Sequence, residues 1–344
     1  MSDTLQAAAD ELCNKHGLTG VGVAVARGDA SPECAVAGVR RKGADDAIEV
    51  DDFWHLGSIG KSFTAVLTAR LFQTDFPKLD ATLPQVLPGV PMHEGWQSCT
   101  LHHLMTSSSG LAANFPLSIL REREKDPEML IELRRKFITA ALVKAPKSPP
   151  GSKFRYSNLG YTLLGHIAET HTGVPYQQLL ETEVLKPLGL EYGFSAPKGA
   201  DQPWGHRVIF GFKKAVDPDN GVADNPAIIA PAGWLNMNLA SMLKYGQAHL
   251  AGARGEHDLL DADTWRLLHT PFLDDYACGW VRAKHNGKGF EGEVYWHDGS
   301  NTLWYAMLIL VPELNTVLAL VTNHGAHRKA GQLFTLAAEN LVEI

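Results

Sequence analysis

Strand-forming runs stand at both ends of this chain and helical ones fill its middle. Gly20 to Arg27 (Gly-Val-Gly-Val-Ala-Val-Ala-Arg) and Cys34 to Val39 are short, rich in β-formers, and separated by the turn-prone Gly28-Asp29-Ala30-Ser31-Pro32, which predicts two antiparallel strands. The strand pattern returns at Ala277 to Ala283, Thr302 to Val311 and Thr316 to Thr322. Between them, from about Asp80 to Leu190, helical signals dominate with Pro/Gly punctuation, notably Ser148-Pro149-Pro150-Gly151. A sheet has to bury at least one face, so strands drawn from both ends must meet and the helices between them become an insertion. The expected fold class is α+β, with an antiparallel sheet flanked by helices in a mixed lobe from residues 1–79 and 232–344. A mostly helical lobe is expected over 80–231. At 344 residues the chain exceeds the size at which one hydrophobic core stops growing, which fits two lobes.

Within this frame, Phe63, Leu67 and Leu71 share one helical face with Val66 alongside, predicting a buried helix over Ser62 to Phe76. Helices are also expected over Asn238 to Leu250 and Lys329 to Leu341. Residues 199–231 are rich in Gly, Pro, Asp and Asn, have little periodicity, and are too long for a simple connection, so a loop bordering a cleft is expected.

Several function classes are excluded by composition and spacing. A net charge of -7 and charge runs of mixed sign, as in Arg121 to Lys125, leave no footprint for nucleic acid. The longest apolar runs, Tyr305 to Val311 and Val317 to Val321, are too short for a bilayer and are split by Pro312 and Glu313, so no membrane span is expected. Residues 1–17 carry Asp3, Asp10 and Glu11 without an apolar stretch and cleavage site, which points to the cytoplasm. Cys13, Cys34, Cys99 and Cys278 are scattered, predicting reduced thiols. None of the 15 histidines sits in a metal-ligand spacing, so neither metal nor cofactor is expected.

Chemistry enters with Ser-x-x-Lys. Fifteen serines and 17 lysines give about 0.7 chance matches, and three copies are present, beginning at Ser58, Ser195 and Ser241. The Ser195 copy contains Pro197 in a turn-rich stretch, so its Ser and Lys need not share a face. Ser241 falls inside a predicted helix, where its N–H would be taken by the i−4 carbonyl. Ser58 instead opens an apolar helix, where backbone N–H groups are unpaired and the helix dipole favours negative charge. One turn later, Lys61 can hold the serine proton, or accept it when neutral, and burial on that helix lowers the pKa of the lysine. Gly57 to Ser62 also ends like a phosphate-binding loop, but the required glycine five positions before Gly60 is His55, and no apolar strand precedes it.

Two downstream motifs complete a hydrolytic set. Tyr156-Ser157-Asn158 is the chain's one Tyr-x-Asn; a nearby ammonium would lower the phenol pKa toward that of a base, and the Asn158 amide can hold Lys61 or a substrate carbonyl. His-x-Gly occurs five times, but only His297-Asp298-Gly299 directly precedes a strong strand. There the N–H of Ser300 can pair with that of Ser58 as an oxyanion hole, whose single donors are worth about 10²- to 10³-fold in rate.

With these motifs the chain resembles the serine β-lactamase-like hydrolases: class C β-lactamases, D,D-carboxypeptidases and family VIII esterases. The resemblance runs from about Gly20 to the C-terminus. It is carried also by Phe53-Trp54-His55-Leu56-Gly57-Ser58, Leu101 to Leu111, Leu185-Lys186-Pro187-Leu188-Gly189-Leu190, Pro231-Ala232-Gly233-Trp234-Leu235 and Val321-Thr322-Asn323. It implies a β-lactamase/transpeptidase-like fold with Ser58 as the acylated nucleophile, Lys61 its partner and Tyr156 the base. Asn158, His297, Gly299 and Ser300 would bind substrate and the oxyanion. The third motif departs from true class C enzymes, which have Lys-Thr-Gly; here a permanent cation is replaced by an imidazole, against efficient β-lactamase activity. The expected function is therefore a serine hydrolase cleaving a small ester or amide through an acyl-serine, esterase-type favoured. A β-lactamase, D,D-peptidase or D-aminopeptidase is the nearer alternative, and a catalytically silent binding module of this fold the more distant one.

Overall fold

The structure, a computed structural model, describes residues 2–342 apart from 29, 73–77, 117–118, 120, 200, 221–222 and 287–289. Its strands are β1 Gly20–Arg27, β2 Glu33–Gly38, β3 Trp54–His55, β4 Tyr192–Phe194, β5 His206–Ile209, β6 Phe212–Ala215, β7 Leu235–Met237, β8 Val281–Asn286, β9 Glu291–Ser300, β10 Tyr305–Val311 and β11 Thr316–Thr322. Six of them form one antiparallel sheet in the order β2-β1-β11-β10-β9-β8. First and last strands are therefore neighbours, with Val23 opposite Leu320 and Val25 opposite Leu318. Both faces are covered, which explains why β10 and β11 read as unbroken apolar runs: every residue of each is buried. Tyr305, Met307, Ile309 and Val311 pack with Leu5, Leu12 and Phe334 beneath the terminal helices Ser2–Asp10 and His327–Val342. Ala306, Leu308 and Leu310 face the other way, into the core shared with helix Leu239–Ala253.

The helical part is organised around Asn158–Thr172, whose residues from Leu159 to Glu169 are all buried. It lies against helices Gly60–Phe72 and Pro127–Leu142. Burial on every side accounts for its near-continuous apolar run. A buried ion pair, Arg134 with Glu169, ties two of these helices together, and Arg134 also donates to Ile228 O and Ala227 O at 3.0 and 3.1 Å. A helix interior thus reaches across to the segment that carries Pro231-Ala232-Gly233.

Four expectations are revised. The strand carrying the third motif was expected to begin after Ser300, but His297 to Ser300 are the last residues of β9, paired with Tyr305 to Leu308 of β10. Alternation of buried and half-buried residues through Trp296-His297-Asp298-Gly299 conceals that strand, because its polar residues look like a loop. Residues 199–231 are not structureless, since β5 and β6 form a hairpin in them. Ser241 N donates to the capping Asn238 Oδ1 at 2.9 Å instead of to an i−4 carbonyl. The nucleophile helix is described from Gly60 to Phe72, and Gln73 to Phe76 of the expected span lie outside the described residues. Of His285-Asn286-Gly287, the first two residues end β8 and Gly287 lies outside the described residues. None of the described helices is long and apolar enough to cross a membrane.

Candidate active site

Ser58 lies in a short 3-10 turn, Gly57–Ile59, that runs into helix Gly60–Phe72. The turn is set from below by His55, which is fully buried and accepts the Gly57 N–H on Nδ1 at 3.0 Å. His55 Nε2 lies 2.9 Å from Asp224 Oδ1. Gly57 takes φ +51°, and a Cβ there would fall 2.2 Å from Ser300 N. From the facing strand, a Cβ on Gly299 would fall 2.4 Å from Ser58 N and 2.0 Å from Leu56 O. The turn and the end of β9 thus touch backbone to backbone, and only glycine at both positions permits it. This close approach sets the backbone nitrogens of Ser58 and Ser300 beside the facing glycines. The Ser300 side chain turns away, donating to Trp304 O at 2.7 Å.

Lys61 is completely buried. Its Nζ donates to Ser58 Oγ at 3.0 Å and to Ala232 O at 2.7 Å, and lies 4.8 Å from the centre of the Tyr156 ring. Burial pushes the amine well below the ordinary lysine range, with the Asp298 charge opposing. Ala232 O is held in place because Thr64, one helical turn after Lys61, donates to Pro231 O at 2.6 Å and shares a 2.7 Å bond with Tyr176.

Tyr156 precedes the helix whose N-cap is Ser157; Ser157 Oγ accepts Gly160 N–H at 2.9 Å and donates to Ala112 O at 2.7 Å. Burial pushes the phenol of Tyr156 up, while its hydrogen bond with Ser58 pulls the other way. The lysine was expected to lower this phenol, but in so dry a site desolvation dominates. His297 is buried too, with Nε2 3.3 Å from Tyr276 Oη and Nδ1 2.6 Å from Asp298 O. Burial first, and then the Lys61 charge, lower its pKa to about 4, so its ring is neutral near pH 7. The Asp298 side chain accepts from Tyr305 Oη at 2.9 Å.

The three motifs, spread over about 240 residues, therefore meet around one serine. Comparison with known proteins settles which family builds such a site. The Beta-lactamase family model matches residues 5–340. This chain belongs to the Beta-lactamase family. It is similar to penicillin-binding protein 4 of Amycolatopsis lactamdurans, 27% identical over 338 residues covering 92% of this chain and 84% of the relative. It is similar also to the D-alanyl-D-alanine-carboxypeptidase/endopeptidase AmpH of Escherichia coli (strain K12), 29% identical over 200 residues, 55% of this chain and 49% of the relative. Among solved structures, SurE matches with a TM-score of 0.79 at 25% identity, over 100% of this chain and 76% of that one. The D-amino acid amidase from Ochrobactrum anthropi SV3 has the same TM-score at 18% identity, over 98% and 97%, and bears on the fold alone. The resemblance, the α+β fold and the enzyme class read from the sequence, a serine hydrolase, all hold.

Within this Beta-lactamase-family site, Asn158 is placed differently from one of its two expected uses. Its amide donates to Asn114 Oδ1 at 2.6 Å, and the acceptor for Lys61 is Ala232 O instead. Sequence reading missed Tyr276 and Tyr161, which wall the site beside Tyr156 and His297. Tyr276 stands in no motif and reaches the site only through the tertiary path of the segment before β8. Ala232 did have a signal, since it lies in the family-like Pro231-Ala232-Gly233-Trp234-Leu235, but a backbone carbonyl carries no residue-type signature.

Proposed function

We propose that this chain hydrolyses a small ester through an acyl-Ser58 intermediate, with Lys61 as the base for acylation. The observation that carries the reading is the buried Lys61 amine, 3.0 Å from Ser58 Oγ and lowered by desolvation. Burial favours the uncharged partner of each pair, a neutral amine beside a neutral phenol, over an ammonium beside a phenolate. Lys61 Nζ then takes the hydroxyl proton as Ser58 Oγ attacks the carbonyl, and the N–H groups of Ser58 and Ser300 receive the oxyanion. As the tetrahedral species collapses and the bond to the leaving oxygen breaks, Tyr156 gives its proton to that oxygen, and the Lys61 ammonium, whose Nζ lies 4.8 Å from the Tyr156 ring centre, returns a proton to the phenolate. Deacylation runs the same protons in reverse, with water in place of the alcohol.

The third motif supports an ester over a β-lactam. His297 is buried, neutral, and engaged by Tyr276 and Asp298 O, so it offers no permanent cation for a lactam carboxylate. A second reading, a D-amino-acid amidase or D,D-peptidase, is favoured by the relatives: AmpH is named a carboxypeptidase/endopeptidase, and the SurE and amidase structures were determined with D-Leu and D-phenylalanine.

Intact-mass analysis after a fluorophosphonate, then a penicillin, combined with turnover of short nitrophenyl esters and of D-phenylalanine amide, separates these readings. A fluorophosphonate adduct lost in Ser58→Ala, with ester turnover and a long-lived penicillin adduct, is the expected result. No adduct and no hydrolysis would leave the silent binding module, and rapid penicillin turnover would overturn the ester preference. Tyr156→Phe is expected to slow acylation and deacylation alike; an unchanged rate removes Tyr156 from the proton path.

A further inference from the structure

The hairpin of β5 and β6 ends in the most exposed large apolar side chains of the described residues: Phe210 is 97% exposed, Phe212 82% and Ile209 55%. We propose that this tip is a peripheral membrane anchor that inserts into the headgroup region of an anionic lipid bilayer. It lies on a surface and does not span it, so it is compatible with the lack of a spanning helix among the described residues.

Folding gives no reason for an aromatic at the tip. Phe210 and Gly211 both have positive φ, +49° and +83°, the turn geometry for which Asn-Gly is the low-energy choice. A phenylalanine held in the left-handed region is unfavourable relative to asparagine, and here its ring touches solvent instead of a core. The root, by contrast, is firmly mounted. His206 is buried, its N–H donates to Leu303 O and Asn323 O, its Nδ1 bonds Asn323 O at 2.8 Å, and its Nε2 accepts from Lys42 N at 2.9 Å. Val216 N closes the base onto Gly205 O at 2.9 Å. A stiff stem thus presents a greasy end, at little entropic cost for insertion.

Charge selects the partner. Arg207 and Lys214 stand opposite each other on the hairpin, both exposed. Lys42, Lys213 and Lys329 crowd the root closely enough that burial and the charges of the other two hold the Lys213 amine below its ordinary range. Arg41 lies over Trp204 nearby, and Asp46 is the acid facing it, at 3.9 Å. In a chain of net charge -7, this is a local cationic collar around an apolar tip. Two copies meeting tip to tip would press like charges together, whereas an anionic bilayer takes up both the rings and the collar.

The test is flotation of the full chain with phosphatidylcholine vesicles, with and without phosphatidylglycerol, at low and high salt. Binding to the anionic vesicles alone, weakened by salt, is expected. The double variant Phe210→Ser with Phe212→Ser should lower that partition by about tenfold or more, and Arg207→Gln with Lys214→Gln should remove the anionic preference. Melting temperature and turnover of a soluble nitrophenyl ester should be unchanged in both. No vesicle binding by the wild type, or equal binding by the Phe variant, overturns the proposal. A particle mass that falls in the Phe variant without any lipid binding reassigns the tip to a contact between copies.

Discussion

Adding one methyl group at Gly299 tests whether the crevice between the nucleophile turn and β9 is what makes Ser58 reactive. The methyl would sit 2.0 Å from Leu56 O and 2.4 Å from Ser58 N, both backbone atoms that no rotamer change can move aside. Real Cβ atoms stay beyond 3.0 Å, so the turn must withdraw by roughly 1 Å, a displacement of the size that costs about 10²-fold in rate when it falls on reacting groups. Ser58 N, one of the two proposed oxyanion donors, moves with it, and losing one donor costs about 10²- to 10³-fold. Overpacking should destabilise the fold by only about 1–3 kcal/mol, leaving most molecules native at room temperature. Gly299→Ala is therefore expected to lower kcat for a nitrophenyl ester about 10²-fold or more, with a smaller change in KM and a few degrees' loss in Tm. Stopped-flow of the acylation burst together with a thermal melt measures both. A folded variant with acylation within about threefold of wild type would refute the idea that this contact places the oxyanion donors.

Because a general base works in its deprotonated form and burial lowers the Lys61 pKa, the acylation rate should rise with pH through a limb well below the ordinary lysine range, then level off; a limb near pH 10 would argue against Lys61. Glu169→Gln leaves the Arg134 guanidinium buried without its counter-charge and should cost about 3–5 kcal/mol, read by urea unfolding. Burial lowers His269 and His206 to about 4, below their unfolded value of 6.5. The unfolded state then binds more protons between those limits, so stability is intact above about pH 6.5 and falls as the pH drops toward 4, by up to roughly 3 kcal/mol for each group. Flat urea midpoints between pH 7 and 4.5 would contradict this.

Much of the fold was legible because it follows from local rules. The apolar runs of β1, β10 and β11, the turn-prone stretch from Gly28 and the periodicity of Phe63, Val66 and Leu67 each announce an element without outside help. What stayed hidden depends on partners distant in sequence. His297-Asp298-Gly299 reads as loop because its residues are polar, yet it is strand because β10 supplies its hydrogen bonds. The hairpin at 206–215 was passed over for a related reason: its apolar residues are exposed, so they show no inside-outside alternation.

The site divides along the same line. The residue types at 58, 61, 156 and 158 and their order belong to the sequence, because hydroxyl, amine, phenol and amide are chemical identities fixed by covalent structure. Their ionisation does not. The amine and the imidazole of His297 are lowered and the phenol raised because the folded chain removes water from all three, and desolvation is a property of packing. The choice of Ala232 O as the acceptor for Lys61, and of Asn114 as the partner of Asn158, likewise came only with the tertiary arrangement, since backbone carbonyls are alike in every sequence until folding aims one of them.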